Sequence, residues 1–202
     1  MPRTFVDANR LWVDSRVRAW AQRSFEARQL LALGGRVDGG RVLELGTGRR
    51  GTGLRIALAQ FGADHVDGVE LSSASAAACR TSVADLGSAV RIEQGDATRL
   101  DAPGGVYDAV FCWHVLHHAQ DWRAVVREGA RVLRPGGRFY AVDMTARLVD
   151  SRPLRAVSHH PADRDRPTPA STAAALQDAG LEVVGQRVRF LGLWVATFAR
   201  RP

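Results

Sequence analysis

Lysine is missing from the 202 residues, so all 28 basic side chains are arginine, set against 21 acids for a formal charge of +7. That excess alone would suggest nucleic acid or an anionic surface as a partner. The arginines are scattered, however, without the basic stripe that nucleic-acid binding uses, and their number beside abundant alanine and glycine reads as compositional bias. Nucleic acid is therefore not the expected partner. Cysteine is nearly absent too: Cys79 and Cys112 show neither a CxxC spacing nor a metal-ligand pattern. This excludes a disulfide scaffold and fits a reducing compartment, the cytoplasm. Long apolar runs are also lacking. The stretch MPRTFVDANR has no signal-peptide core, and FLGLWVATFA near the other end is too short to span a bilayer, so a soluble protein is expected.

What is present is a 46% hydrophobic chain of a length that suits one α/β domain with its own core. We expect a single domain over residues 1–202, with a helical cap over 1–36 and an α/β core over 37–202. From about Asn9 to Leu33, Val13, Val17, Trp20, Ala27 and Leu31 recur at helical spacings with arginines between them. Arginine and tryptophan would suit peripheral contact with a membrane surface through this helix. The favoured reading is a helix that packs on the core and partly lids a pocket.

Strands and helices then alternate. Strands are expected at Arg41 to Leu45, His65 to Val69, Val90 to Gln94, Ala109 to Trp113 and Arg138 to Val142. Helices fall between them at about Thr52 to Gln60, Ala74 to Asp85 and Asp121 to Leu133. This order predicts a Rossmann-like, doubly wound and mostly parallel sheet, with helices on both faces and its ligand edge at the carboxyl ends of the strands. Thr145 to Thr168, rich in Pro, Arg, Asp and His, reads as a loop over the pocket mouth. A helix from about Ala170 to Ala179 stops at Gly180, and two apolar runs, Leu181 to Val188 and Leu193 to Ala199, form an antiparallel hairpin that completes seven strands.

The richest signal is VLELGTGRRGTG, from Val42 to Gly53, a buried strand that breaks into a glycine loop and resumes as a helix. Glycines there let the backbone approach a ligand, and the free N–H groups of the helix start favour polar atoms. Three acids stand at the carboxyl ends of successive strands: Glu44, Glu70 and Asp96. Glu70 lies at the separation from the glycines where a carboxylate accepts from a ribose diol. Asp96, in GDAT, suits an exocyclic adenine amine, with the N–H of Ala97 available to a ring nitrogen.

These residues, with DGVELS, YDAVFCWHVLHH and RVLRPGGRFYAVD, resemble the class I S-adenosylmethionine-dependent methyltransferases, and are similar to the small-molecule branch that includes quinone-biosynthesis enzymes. The resemblance runs from about Arg41 to Val142 and more weakly through the hairpin. It implies S-adenosylmethionine as cofactor and S-adenosylhomocysteine as product. It further implies that Glu44, Gly46, Thr47 and Gly48 cradle the methionyl part, Glu70 and Leu71 the ribose, Asp96 and Ala97 the adenine, and the backbone near Cys112 the methionyl ammonium. One departure stands out. Arg50 occupies the family's usual third glycine position and Gly51 follows, a Gly46-x-Gly48-x-x-Gly51 spacing shared with dinucleotide folds, which keeps a nicotinamide enzyme among the alternatives.

Methyl transfer needs positioning and exclusion of water more than a base, but a phenol or enol acceptor is helped by histidine. His114 and His117, followed by His118, sit after strand four and are the candidate catalytic residues, beside the plainer reading that they cap a helix or pack under the loop. No carboxylate spacing supports a metal site built from them with His159 and His160, so no metal is expected. The motifs of base, pyrimidine-carbon and protein-arginine methylation are missing near strand four. The aromatic character of Trp12, Trp20 and Trp113 instead suits a small, partly hydrophobic acceptor. Two other readings stay open: an RNA-modifying methyltransferase, and a non-catalytic protein that kept the fold.

Overall fold

The computed structural model of the chain describes residues 15–152 and 165–202. It begins with a helix in three parts: α1 (Arg16–Ala21), a π-helical segment (Gln22–Glu26) and α2 (Ala27–Gly34). There follow β1 (Arg41–Leu45), α3 (Thr52–Ala59), β2 (His65–Glu70), α4 (Ser73–Ser82), a 3-10 turn (Ala84–Ala89) and β3 (Val90–Gln94). The second half comprises β4 (Tyr107–Trp113), α5 (Trp122–Val132), β5 (Leu133–Met144), α6 (Ala146–Val149), α7 (Pro169–Asp178), β6 (Glu182–Arg189) and β7 (Trp194–Arg200).

The seven strands form one sheet in the order β3-β2-β1-β4-β5-β7-β6. The expected doubly wound sheet is therefore present. The predicted hairpin pairs antiparallel, and because β7 is antiparallel to both β5 and β6, it alone runs against the other six strands. The chain moves outward from β1 through β2 to β3 and returns to β4 on the other side. This creates a topological switch point between β1 and β4, where open α/β sheets bind ligands.

Both faces are covered, so the central strands read as apolar runs rather than alternating ones. Val42, Phe111, Tyr140 and Val142 join the layer beneath the leader helix, α3 and α4, where the Phe111 and Tyr140 rings stack at 4.7 Å. Leu43, Val110, Phe139 and Ala141 face the opposite layer with Trp122 and Val126 of α5 and Leu176 of α7. Helix α5 starts at Asp121, whose side chain accepts from the N–H of Ala124 at 2.9 Å. It ends at Val132, and the backbone is extended from Leu133, ahead of Pro135, which could not continue the helix.

The leader helix corrects the sequence reading. Val17 and Trp20, expected on its inner face, are 60% and 67% exposed, while Gln22, Glu26, Ala27 and Leu30 are buried. The π-helical segment adds a residue to the turn and rotates the inward face, which is partly polar: Gln22 lines a cleft and Glu26 is buried beside it, while Ala27 and Leu30 join the core. Val13 and Trp12 lie outside the described residues, as do residues 153–164 of the expected mouth loop, of which residues 145–152, with α6, and 165–168 are described.

The turn between β6 and β7 also departs from local preference. Phe190 and Leu191 occupy the left-handed region, with φ of 54° and 56°, a conformation that costs a residue bearing a Cβ about 1–2 kcal/mol.

Candidate active site

A cleft of about 870 Å³ opens at the carboxyl edge of the sheet, over the switch point. Its floor is the glycine loop. Gly46, Gly48 and Gly51 have positive φ of 72°, 60° and 57°, and Gly51 caps the start of α3 in the left-handed conformation. A Cβ at Gly51 would strike Val83, Leu54 and Cys79. Arg50 is not among the positive-φ residues. The loop carries one more residue than the family's usual spacing, and the glycine conformation has moved to Gly51 with it. Arg50 keeps its place in the cleft wall, and its carbonyl accepts from the Ser82 hydroxyl at 3.1 Å.

The three strand-end acids differ in their partners. Glu70 shapes the loop: its Oε2 accepts from Gly48 N at 2.9 Å and its Oε1 from Ser72 N at 3.1 Å. Asp96 Oδ1 accepts from both the N–H and the hydroxyl of Thr98, each at 2.8 Å. Glu44 is 2% exposed, and its Oε2 has no hydrogen-bond partner. A Cβ on Gly53, in the first turn of α3, would overlap the Glu44 carboxylate, so the helix approaches this acid only because that position is glycine. Burial, and next the charge of Glu70, push the Glu44 carboxyl well above the ordinary carboxylate range.

At the other end of the cleft the residues after β4 form two histidine–carboxylate pairs. His114, held at φ 57°, places Nε2 2.9 Å from Glu26 Oε1 of the π-helical segment. Glu26 also lies 3.3 Å from Arg18 Nη1 and accepts from Trp194 Nε1 at 3.4 Å. Burial pushes its carboxyl up, but the charge and hydrogen bond of His114, then Arg18 and Trp194, outweigh burial and hold it below the ordinary range. His117 is buried, and its Nδ1 hydrogen-bonds Asp143 Oδ1 at the end of β5. The other Asp143 oxygen accepts from His117 N at 3.2 Å. Burial raises the Asp143 carboxyl, and the charge and hydrogen bond of His117 outweigh it and lower it. Arg166, from the far end of the mouth segment, donates to the His117 carbonyl at 3.3 Å.

Glu44, Gly46, Thr47, Gly48, Glu70, Leu71, Asp96, Ala97, His114 and His117 all line this cleft, with Trp113 and His118. Cys112 does not. Along β4, Trp113 faces the cleft layer, and strand alternation turns the Cys112 side chain into the opposite core. Trp20 does not line the cleft either. His159 and His160 lie outside the described residues. His114, His117 and Asp143 bring donor atoms within 4.8 Å of one another, and the His117 and Asp143 atoms share a hydrogen bond. Sequence reading missed Glu26, Arg18, Gln22, Gly53 and Asp143. Asp143 had a signal, since it is a further acid at a strand's carboxyl end.

Strand order, switch-point cleft and carboxylate-lined glycine loop together define a class I methyltransferase fold. Residues 43–141 match the family described as a methyltransferase domain, and this segment, just under half of the chain, carries the class I S-adenosylmethionine-dependent methyltransferase motifs. It is 37% identical over 103 residues to 27-O-demethylrifamycin SV methyltransferase of Amycolatopsis mediterranei, a stretch covering 50% of this chain and 37% of that protein. It is likewise 37% identical over 106 residues to the ubiquinone biosynthesis O-methyltransferase of Bordetella avium, covering 52% and 43%. The match thus spans less than half the length of either relative. Among solved structures, the methyltransferase in complex with the Haloferax volcanii Trm112 methyltransferase activator superposes with a TM-score of 0.76 at 23% identity, over 97% of this chain and 98% of that one.

Glu44 generates a prediction about stability. Its carboxyl holds a proton in the folded state at pH values where the unfolded chain has lost it, so its contribution falls as pH rises from the ordinary carboxylate range through the raised value. Glu44→Gln removes this term. Thermal unfolding at neutral pH should show the variant more stable than the parent by about 1–3 kcal/mol, with the gap closing toward pH about 4.

Proposed function

We propose that the chain transfers a methyl group from S-adenosylmethionine to a hydroxyl of a small, partly hydrophobic acceptor, within one domain whose leader helix caps the α/β core. The observation that carries this reading is Glu44: a buried carboxyl with an unpartnered oxygen, in the same cleft as Glu70 and Asp96. That donor set fits a cationic ligand bearing an ammonium, a ribose and an adenine. Glu44 and the Gly46–Gly48 turn would hold the methionyl end, Glu70 and Leu71 the ribose, and Asp96 and Ala97 the adenine. Glu70 can serve two masters because each oxygen carries a lone pair beyond the one that accepts the loop N–H.

When bound, S-adenosylmethionine supplies an electrophilic methyl group on a sulfonium. The chain's own work is to align the acceptor, keep water out and receive a proton. His117 lines the acceptor end of the cleft, and the Asp143 hydrogen bond to Nδ1 fixes the ring so that Nε2 is the proton-accepting nitrogen. Asp143 stabilises the imidazolium as the proton arrives. A base of this kind matters for a hydroxyl acceptor, which must lose its proton on methylation. Two relatives whose names specify O-methylation or an O-demethylated substrate support that choice. Trp113 and Met144 supply apolar wall beside the histidines.

Turnover of a panel of phenols, enols and amines, followed as S-adenosylhomocysteine release, tests the reading. A hydroxyl compound should be the substrate, and a panel with no turnover, or turnover of amines alone, counts against it. For that substrate, Asp143→Asn should lower kcat by about 10²–10⁴-fold, the scale of general-base catalysis, with affinity for S-adenosylmethionine little changed. Equal losses in cofactor affinity would assign Asp143 to structure instead.

A further inference from the structure

The β6–β7 turn spends conformational strain to place two large apolar side chains in water. Phe190 and Leu191 form the two central residues of a turn closed by Gly192 N to Arg189 O at 3.2 Å, with φ of 54° and 56°. Such turns favour asparagine and glycine, which tolerate positive φ. Here they hold a phenylalanine 61% exposed and a leucine 86% exposed. Folding alone would select against both features, so the sequence at this tip serves something outside the fold.

Its surroundings say what. The turn stands on the same edge of the sheet as the cleft, because β7 is antiparallel and starts where β5 ends: Thr145 N donates to Leu193 O at 3.0 Å. Arg189 and Arg147 are exposed beside the tip, Arg147 reaching to within 3.8 Å of where a Cβ would lie on Gly192. The Phe190 ring also meets Phe25 of the leader helix, centroids 5.6 Å apart. That helix leaves Val17 and Trp20 60% and 67% exposed, with Arg16 and Arg23 exposed as well. From Gln186 to Trp194 the chain carries no acid.

We propose that the Phe190–Leu191 tip is a docking element that inserts into the interface of an anionic lipid surface. An apolar apex with an arginine collar is the composition of interfacial segments, in which the apolar groups enter the headgroup boundary and cations face the phosphates. A two-residue convex apex is too small to form the roughly 800 Å² per partner of a stable protein interface. The net charge of +7 acts in the same direction. The inference is independent of the acceptor's identity. Docking at this edge would bring the cleft mouth to a membrane.

The test uses Phe190→Asn with Leu191→Gly, residues that the turn itself prefers. Co-flotation with vesicles of phosphatidylcholine, with and without phosphatidylglycerol, should show the parent chain bound only when phosphatidylglycerol is present, and released by salt. The double variant should bind at least about tenfold more weakly, since it loses two large apolar anchors, while its Tm stays level or rises because the strain is relieved. Parent and variant that float equally, or a parent that does not float, would overturn the proposal. So would a parent that is dimeric and does not float but becomes monomeric in the variant, which would make the tip a self-association contact.

Discussion

A carboxyl group that the fold buries with one oxygen unpartnered is the constraint around which this molecule is arranged. Glu44 lies in the middle of an apolar strand, where any residue with fewer demands would stabilise the fold. Gly53 gives it room, Gly46 and Gly48 turn the chain away from it, and Glu70 both braces the loop and raises the cost of a second charge nearby. Burial and the Glu70 charge therefore favour the protonated form of Glu44. A cationic ligand reverses the balance, since it supplies the missing partner and favours the charged form. On the proposed function, stability forgone at Glu44 thus becomes affinity.

The leader helix is the second organising element. Its inward face is only partly apolar, with Gln22 and Glu26 buried beside Ala27 and Leu30, and the π-helical segment brings Glu26 onto His114. Two histidines four places or fewer from the end of β4 are each fixed by a carboxylate from elsewhere in the chain, one from the leader helix and one from β5. The histidine end of the cleft is therefore assembled from three distant stretches of sequence, whereas the end bearing Glu44, Glu70 and Asp96 draws on consecutive strand tips.

That contrast explains what was legible in the residues. Strands such as Val90–Gln94 and the acids at their ends follow local rules, because a buried run and the turn after it are written contiguously. The Gly51 shift was visible as a spacing, and its meaning needed φ values. The inner face of the leader helix was not legible. A periodicity argument assumes that the buried face is apolar and that the helix keeps one period, and Gln22 and Glu26 break both assumptions. Cys112 needed the strand pairing: Phe111 lies beside Glu44, so alternation turns the next side chain, Cys112, into the far core.

The most direct test of the account is the proton count on binding S-adenosylmethionine, measured by titration calorimetry in buffers of different ionisation enthalpy near neutral pH. The account predicts that binding releases protons, that the release vanishes in Glu44→Gln, and that this variant binds at least about tenfold more weakly. Tight binding with no proton released, unchanged in Glu44→Gln, would contradict it.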